Sequence, residues 1–294
     1  MKGIVLAGGS GTRLYPMTKV VNKQLLPIHD KPMIYYPMSI LMLADIRDIL
    51  VISTPQHLPF YEALLGDGSQ FGLRLSFAAQ ERPGGLAEAF IVGKDFIGDD
   101  PVAMILGDNL LFGNDIPLIL KSMASVREGA QIYAYRVGNP EQFGVVEFDA
   151  SRKAIGLEEK PKHPKSHWAV IGLYAYGPEV VEDVKTIQPS ARGELEITDL
   201  NRIYLERGNL SVELLGRGVA WLDTGTPAAL TEASSFIHTL EARQGLKVAC
   251  LEEIAFVKQW ISHEEVERSI NAMGASSSYA QYLRQMLDDG SWLI

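Results

Sequence analysis

The chain has 294 residues, 47% of them hydrophobic, which is enough to build one large domain, or one domain with an appended lobe, around a real core. With 27 Lys and Arg against 36 Asp and Glu its net charge is −9, and no dense basic run interrupts it, which argues against a nucleic-acid partner. A lone cysteine, Cys250, rules out an intrachain disulfide. The six histidines show no metal spacing with it, and no apolar run reaches the ~18–20 residues of a membrane span.

In chain order, Ile4–Ala7 reads as a buried strand that opens into a glycine-rich loop. Pro32–Ala44 reads as a helix with Pro32 at its first position and Pro37 as a kink. Strands are expected at 49–54, 73–78 and 102–106, and helices at 58–65 and 86–96. This β-α-β-α rhythm predicts a mainly parallel, Rossmann-like sheet covered by helices, with ligands beyond the carboxyl ends of its strands. Strand-like segments at 131–137, 144–148 and 169–176 add mixed or antiparallel strands. A helix at 197–207, a strand at 211–214 and a strand end at Trp221-Leu222-Asp223 follow. From Pro227 the pattern is helical, with a capping box at Ser262 and Glu265 and a last helix at 278–287. Residues 1–226 are therefore expected to form a catalytic core, and residues 227–294 a mainly helical packing or subunit-contact region that is not an independent domain. No basic leader with a cleavage site precedes the first strand, so a cytoplasmic location is expected.

The loop itself, Leu6-Ala7-Gly8-Gly9-Ser10-Gly11-Thr12-Arg13-Leu14 with Lys23 beyond it, carries most of the chemistry. Glycines let backbone N–H groups approach an anion, and Arg13 adds a planar charged fork suited to phosphate. Leu14 stands where a dinucleotide fingerprint needs its third glycine, and no G-x-x-x-x-G-K-[ST] stretch exists. Taken alone, the loop can also be an ordinary turn.

Asp108, after the apolar run 102–106, and Asp223 are strand-end carboxylates suited to Mg²⁺ beside phosphates. Each can equally cap a turn or helix, Thr226 being an alternative cap for the helix at Pro227. In Leu157-Glu158-Glu159-Lys160-Pro161, Pro161 should hold Lys160 extended. There Glu159 can accept from sugar hydroxyls and Lys160 can neutralise a phosphate, or the segment is a solvated turn; Arg192 shares that ambiguity. Gln80 can pair with the amide edge of a pyrimidine, with Gly85 beside it, or simply end a strand.

Taken together, Gly8–Leu14, Lys23-Gln24-Leu25-Leu26-Pro27, Asp30–Pro37, Gly107-Asp108-Asn109, Leu157–Pro161, Arg192–Asp199 and Trp221–Thr226 resemble the sugar-nucleotide pyrophosphorylases, and among them the glucose-1-phosphate thymidylyltransferases, from residue 1 to about residue 285. The resemblance implies a nucleotidyltransferase fold and the reaction of dTTP with α-D-glucose 1-phosphate to give dTDP-glucose and pyrophosphate. It implies that Leu6, Gly8, Gly9, Ser10, Gly11, Thr12, Arg13, Gln24, Gln80, Gly85 and Asp108 meet the nucleotide. Asn109, Gly144, Glu159, Lys160, Val170, Gly172 and Arg192 would meet the sugar phosphate, and Asp108 and Asp223 would hold Mg²⁺. Arg13, Lys23, Lys160 and Arg192 would be the catalytic cations. The pattern departs at Gly84, Phe143 and Ile171, where the family usually has Asp, Tyr and Thr.

The resemblance also implies a homotetramer with a second nucleotide site between subunits, to which Phe112, Gly113, Gly218, Lys247, Val248, Ala249, Glu253 and Ile254 are suited. Pro117, Leu118 and Val257 replace polar residues there, which implies weakened feedback; an apolar subunit interface is the alternative. Other functional readings are the same chemistry on another sugar 1-phosphate or triphosphate, and a regulator that binds a nucleotide sugar without turnover.

Overall fold

A computed structural model of the protein describes residues 1–9, 11–274 and 276–289. Strand β1 (Lys2–Leu6) leads through the glycine loop and a short turn at Lys23–Leu25 to a tight hairpin, β2 (Pro27–Ile28) and β3 (Lys31–Pro32), and then to helix α1 (Tyr35–Leu43). Next come β4 (Asp48–Ser53), α2 (Leu58–Leu65), β5 (Arg74–Ala79), the short helices α3 (Glu88–Val92) and α4 (Lys94–Ile97), and β6 (Val102–Leu106). The middle of the chain forms β7 (Asn109–Gly113), α5 (Ile116–Ala124), β8 (Ala130–Arg136), β9 (Gly144–Phe148), β10 (Ala154–Glu159), β11 (Trp168–Tyr176), α6 (Val180–Asp183), α7 (Ile197–Arg207), β12 (Leu210–Leu215) and β13 (Val219–Asp223). Helices α8 (Pro227–Gln244), α9 (Leu251–Val257), α10 (His263–Met273) and α11 (Ser278–Asp289) complete the described chain.

The central sheet runs β10-β9-β11-β6-β1-β4-β5, with β8 on β11 and β12 on β8. Strands β6, β1, β4 and β5 are parallel, as the alternating pattern predicts, and β11 turns the sheet mixed by pairing antiparallel to β6. Successive side chains of a strand face opposite sides. Ile4, Leu50, Ile52 and Met104 accordingly pack with Phe90, Tyr176 and Tyr204 on one face. Val5, Val51, Ala103 and Ile105 pack with Met38, Leu41 and the C-terminal helices on the other.

Leu251 and Ile254 of α9, Val266 of α10 and Leu283 of α11 join that second cluster. Helix α8 covers Ile28, Met33 and Leu110 through Ala233 and Ile237. Its end is tied to the β2–β3 hairpin by charge: buried Lys31 reaches Asp30 at 2.5 Å and Glu241 at 3.1 Å, and Lys247 binds the same two carboxylates. Among the described residues no helix is long and apolar enough to cross a membrane.

Three local expectations are corrected. Pro32 lies in the hairpin, paired with Pro27, and the helix begins at Tyr35. Pro37 then occupies the first turn, where N–H groups have no helical acceptor to lose, so it does not kink α1. The single helix expected at 86–96 is two, divided at Gly93, whose backbone departs from the helix. The Ser262–Glu265 capping box is present.

One buried acid offers a test of this packing. Glu253 is 5% exposed and accepts from Tyr282 Oη at 2.7 Å, and burial pushes its pKa from 4.5 to about 6. Between those values the folded state holds a proton that the unfolded chain has lost, so stability falls as pH rises through this window. A displacement of that size is worth at most about 2 kcal/mol. Glu253→Gln keeps the acceptor for Tyr282, so urea unfolding should show the variant more stable by up to about 2 kcal/mol at pH 7.5 and no different at pH 4. An equal gain at both pH values would assign the effect to packing.

Candidate active site

Both central strands β1 and β6 end at one cleft of about 710 Å³. Leu6, Gly8, Gly9 and Arg13 line its first wall, and Leu106 and Asp108 the next. Gly9 has φ +99°, with open space where a side chain would stand; Gly11, at φ +58°, starts the turn that Thr18 Oγ1 holds by donating to Gly11 O at 2.8 Å. Gly11 and Thr12 build this turn and do not line the cleft, and Ser10 lies outside the described residues. Gln80, first after β5, lies on the wall with Gly85. Gln24 donates to Gly8 O at 3.3 Å, while its buried Oε1 has no partner among the described residues, an acceptor suited to a ligand donor.

The two carboxylates meet through a small second sheet. Strand β13 pairs with β7 so that Asp223 lies opposite Asn109, next to Asp108. Thr226 caps α8 by accepting from Ala229 N at 3.2 Å, which leaves Asp223 free of that duty. Thr224 Oγ1 donates to Asp108 O at 3.1 Å and locks the junction. Lys23 is buried behind the cleft wall, and its ammonium stands 2.5 Å from Asp108 Oδ2. Burial and then the neighbouring Asp108 charge raise the Asp223 pKa, while Lys23 and Arg13 oppose them. Two carboxylates that repel each other at a cleft wall have the donor chemistry of a divalent-cation site.

The opposite end of the cleft lies where the sheet forks. One edge of β11 pairs with β9 at Ala169 and with β6 from Leu173 onward, and Gly172 falls between. Asn109 Oδ1 fills the gap, accepting from Gly172 N at 3.1 Å and Trp221 Nε1 at 2.7 Å, while its Nδ2 donates to Asp108 Oδ1 at 3.2 Å. A Cβ on Gly172 would lie 2.6 Å from Asn109 Nδ2, so only glycine admits this contact. Gly144 and Val170 also line this end. Glu159 accepts from Thr198 Oγ1 at 2.6 Å and pairs with Lys160 at 3.2 Å.

Lys160 is not extended as Pro161 suggested: its φ is +45°. Its N–H donates to Phe143 O at 3.0 Å, continuing the β9–β10 pairing into a turn that overrides the local preference. A non-glycine residue held in the left-handed region stores strain where the side chain must point into a site. Arg192 reaches the cleft from the loop before α7, paired with Glu196 at 2.8 Å and Glu194 at 3.2 Å.

A family model described as nucleotidyl transferase matches residues 2–239. The chain is 57% identical to the glucose-1-phosphate thymidylyltransferase of Neisseria meningitidis over 287 residues, covering 98% of this chain and 99% of that one. It is 55% identical to that of Mycolicibacterium smegmatis over 288 residues, again covering 98% and 99%. The chain belongs to the glucose-1-phosphate thymidylyltransferase family. A solved Bacillus anthracis structure, provisionally named as a glucose-1-phosphate thymidylyltransferase and holding sucrose, superposes with a TM-score of 0.74 at 43% identity, covering 80% of this chain and 94% of that one. The family model ends inside α8, whereas the two relatives align through the C-terminal helices as well.

Several cleft residues of this nucleotidyltransferase escaped the sequence reading. Trp221, Thr198, Glu196 and Tyr174 line the wall without having been assigned to it. Trp221 and Thr198 lie inside motifs quoted for the resemblance, but their roles come from partners distant in sequence, Asn109 and Glu159.

Proposed function

We propose that this enzyme joins dTTP to α-D-glucose 1-phosphate, giving dTDP-glucose and pyrophosphate. The observation that carries the reading is the β7–β13 register, which sets Asp223 beside Asp108 between the glycine loop and the sheet fork. A triphosphate fits the loop side, with Arg13 at its charges; Lys23, expected there as well, lies behind the wall and pairs with Asp108. A hexose phosphate fits the fork side, with Asn109, Gly144, Glu159, Val170 and Gly172 around the ring.

A phosphate monoester is largely dianionic at neutral pH, so a sugar-phosphate oxygen attacks the α-phosphorus without a general base. The new P–O bond forms as the α–β anhydride bond breaks, and pyrophosphate leaves with the electron pair. The protein's task is to hold two anions in line and offset their repulsion. Lys160 and Arg192 would exchange their present carboxylate partners for the sugar phosphate. The carboxylates of Asp108 and Asp223 fit Mg²⁺, whose chemistry when bound is to neutralise phosphate charge.

Pyrophosphate release tests the reading. It should require dTTP, glucose 1-phosphate and Mg²⁺ together, and should stop when the metal is chelated. Release that persists without metal would overturn the assignment of Asp108 and Asp223, and faster release with another triphosphate or sugar phosphate would reassign the substrates.

A further inference from the structure

Gln80 is 7% exposed and anchored by its own N–H, which donates to Ser53 O at 2.8 Å. Its side-chain nitrogen Nε2 donates to Gly85 O at 3.2 Å and to Glu88 Oε2 at 2.6 Å. A backbone carbonyl and a carboxylate can only accept, so both of these partners demand the nitrogen. The carbonyl oxygen Oε1 must therefore face the other way, toward Gly8, and it lies 3.1 Å from the point where a side chain on Gly8 would begin. Gly85 O alone would leave the amide one firm anchor; the Glu88 carboxylate adds a charge-assisted second.

The carboxylate occupies space that Gly84 leaves open. A Cβ on Gly84 would lie 2.1 Å from Glu88 Oε2, inside van der Waals contact. Arg82 Nε stands 4.0 Å from the other carboxylate oxygen. Glycine at 84 and glutamate at 88 thus form one device around the Gln80 amide.

We infer that Glu88 is a positioning residue for base selection: by holding Gln80 with its oxygen toward the glycine loop, it makes the site accept a pyrimidine that carries a proton on N3 and refuse one that does not. Thymine and uracil offer an N3–H donor to that oxygen. Cytosine presents a lone pair at N3, so two acceptors would face each other with neither satisfied, and such a mismatch costs selectivity heavily. The contact does not separate thymine from uracil. This inference rests on the proposed reading of Gln80 as a base contact.

The test compares kcat/KM for dTTP and dCTP, with glucose 1-phosphate and Mg²⁺, in the full-length enzyme and four variants. Glu88→Met keeps the length of the side chain but removes the acceptor, which frees the amide to turn over. The dTTP-to-dCTP ratio should fall about tenfold or more, through the nucleotide KM rather than kcat, with the sugar-phosphate KM unmoved. Gly84→Ala displaces the carboxylate without deleting it and should reproduce the change, which keeps the test decisive should Glu88→Met misfold. Gln80→Ala should abolish the selectivity, and adding Glu88→Met to it should change nothing further.

An unchanged ratio in both Glu88→Met and Gly84→Ala, with Gln80→Ala impaired, would overturn the role of Glu88 and leave the base pocket intact. Unchanged nucleotide kinetics in Gln80→Ala would instead refute the base contact itself.

Discussion

Asp108→Asn should lower kcat by about a hundred- to thousandfold, because the proposed metal clamp loses half its charge and a bound divalent ion contributes several kcal/mol to such a transition state. The metal concentration for half-maximal rate should rise in parallel. The substitution also strips Lys23, 8% exposed, of its ion partner at 2.5 Å. A stability loss of about 1–3 kcal/mol is therefore expected alongside the kinetic one. The two effects separate in the double variant Asp108→Asn/Lys23→Met, which removes the stranded ammonium: unfolding stability should recover and turnover should not. Asp223 supplies an internal gauge. With the neighbouring charge gone, its raised pKa should drop toward the ordinary carboxylate value, since Asp108 is the second cause of the elevation after burial. A wild-type kcat in Asp108→Asn at saturating Mg²⁺ would remove this residue from the chemistry.

The parts of this fold that were legible in the sequence are those where one segment carries its own signal. Residues 102–106 form a continuous apolar run because β6 is covered on both faces, and α2 and α7 end where their patterns end. Strand β10 was hidden because it is an edge: only Leu157 is buried, and the charged Glu158 and Glu159 beside it read as a turn. Strand β7 was hidden for a different reason. Two residues separate it from β6, and its partner β13 lies about a hundred residues on, so no local pattern announces the pairing.

The site divides in the same way. The wall proposed for the nucleotide is local: Leu6 ends β1 and Gly8, Gly9 and Arg13 follow it, a composition suited to an anion cradle. The wall proposed for the sugar phosphate is assembled by topology. Asn109 takes its orientation from Gly172 and Trp221, two residues on different strands, and Glu159 takes its own from Thr198 at the start of a helix. Spacing within a motif says nothing of such contacts. Lys160 marks the limit most clearly, since the proline rule describes a dipeptide while the hydrogen bond to Phe143 decides the backbone.

Arg13→Ala should separate binding from catalysis. The residue is exposed and lines the cleft, and its guanidinium lies beside Gly225: a Cβ built there would stand 3.2 Å from both terminal nitrogens and from Asp223 Oδ1. Arg13 is therefore close enough to the second carboxylate to act on its charge, on the side where the charge of the triphosphate would concentrate during transfer. If the fork acts on charge that develops in the transition state, kcat should fall on the order of a hundredfold while the dTTP KM rises only a few-fold. A loss confined to KM would restrict it to ground-state binding. Arg13→Lys restores the charge but not the planar pair of donors, so it should recover KM more fully than kcat. Steady-state kinetics with each substrate varied in turn read both values. Removing Arg13 also deletes one of the two cations that oppose the elevation of the Asp223 pKa. In the metal-free protein the Asp223 pKa should accordingly rise further in Arg13→Ala, a displacement, read by carboxyl NMR titration, that a guanidinium acting on substrate alone would not cause.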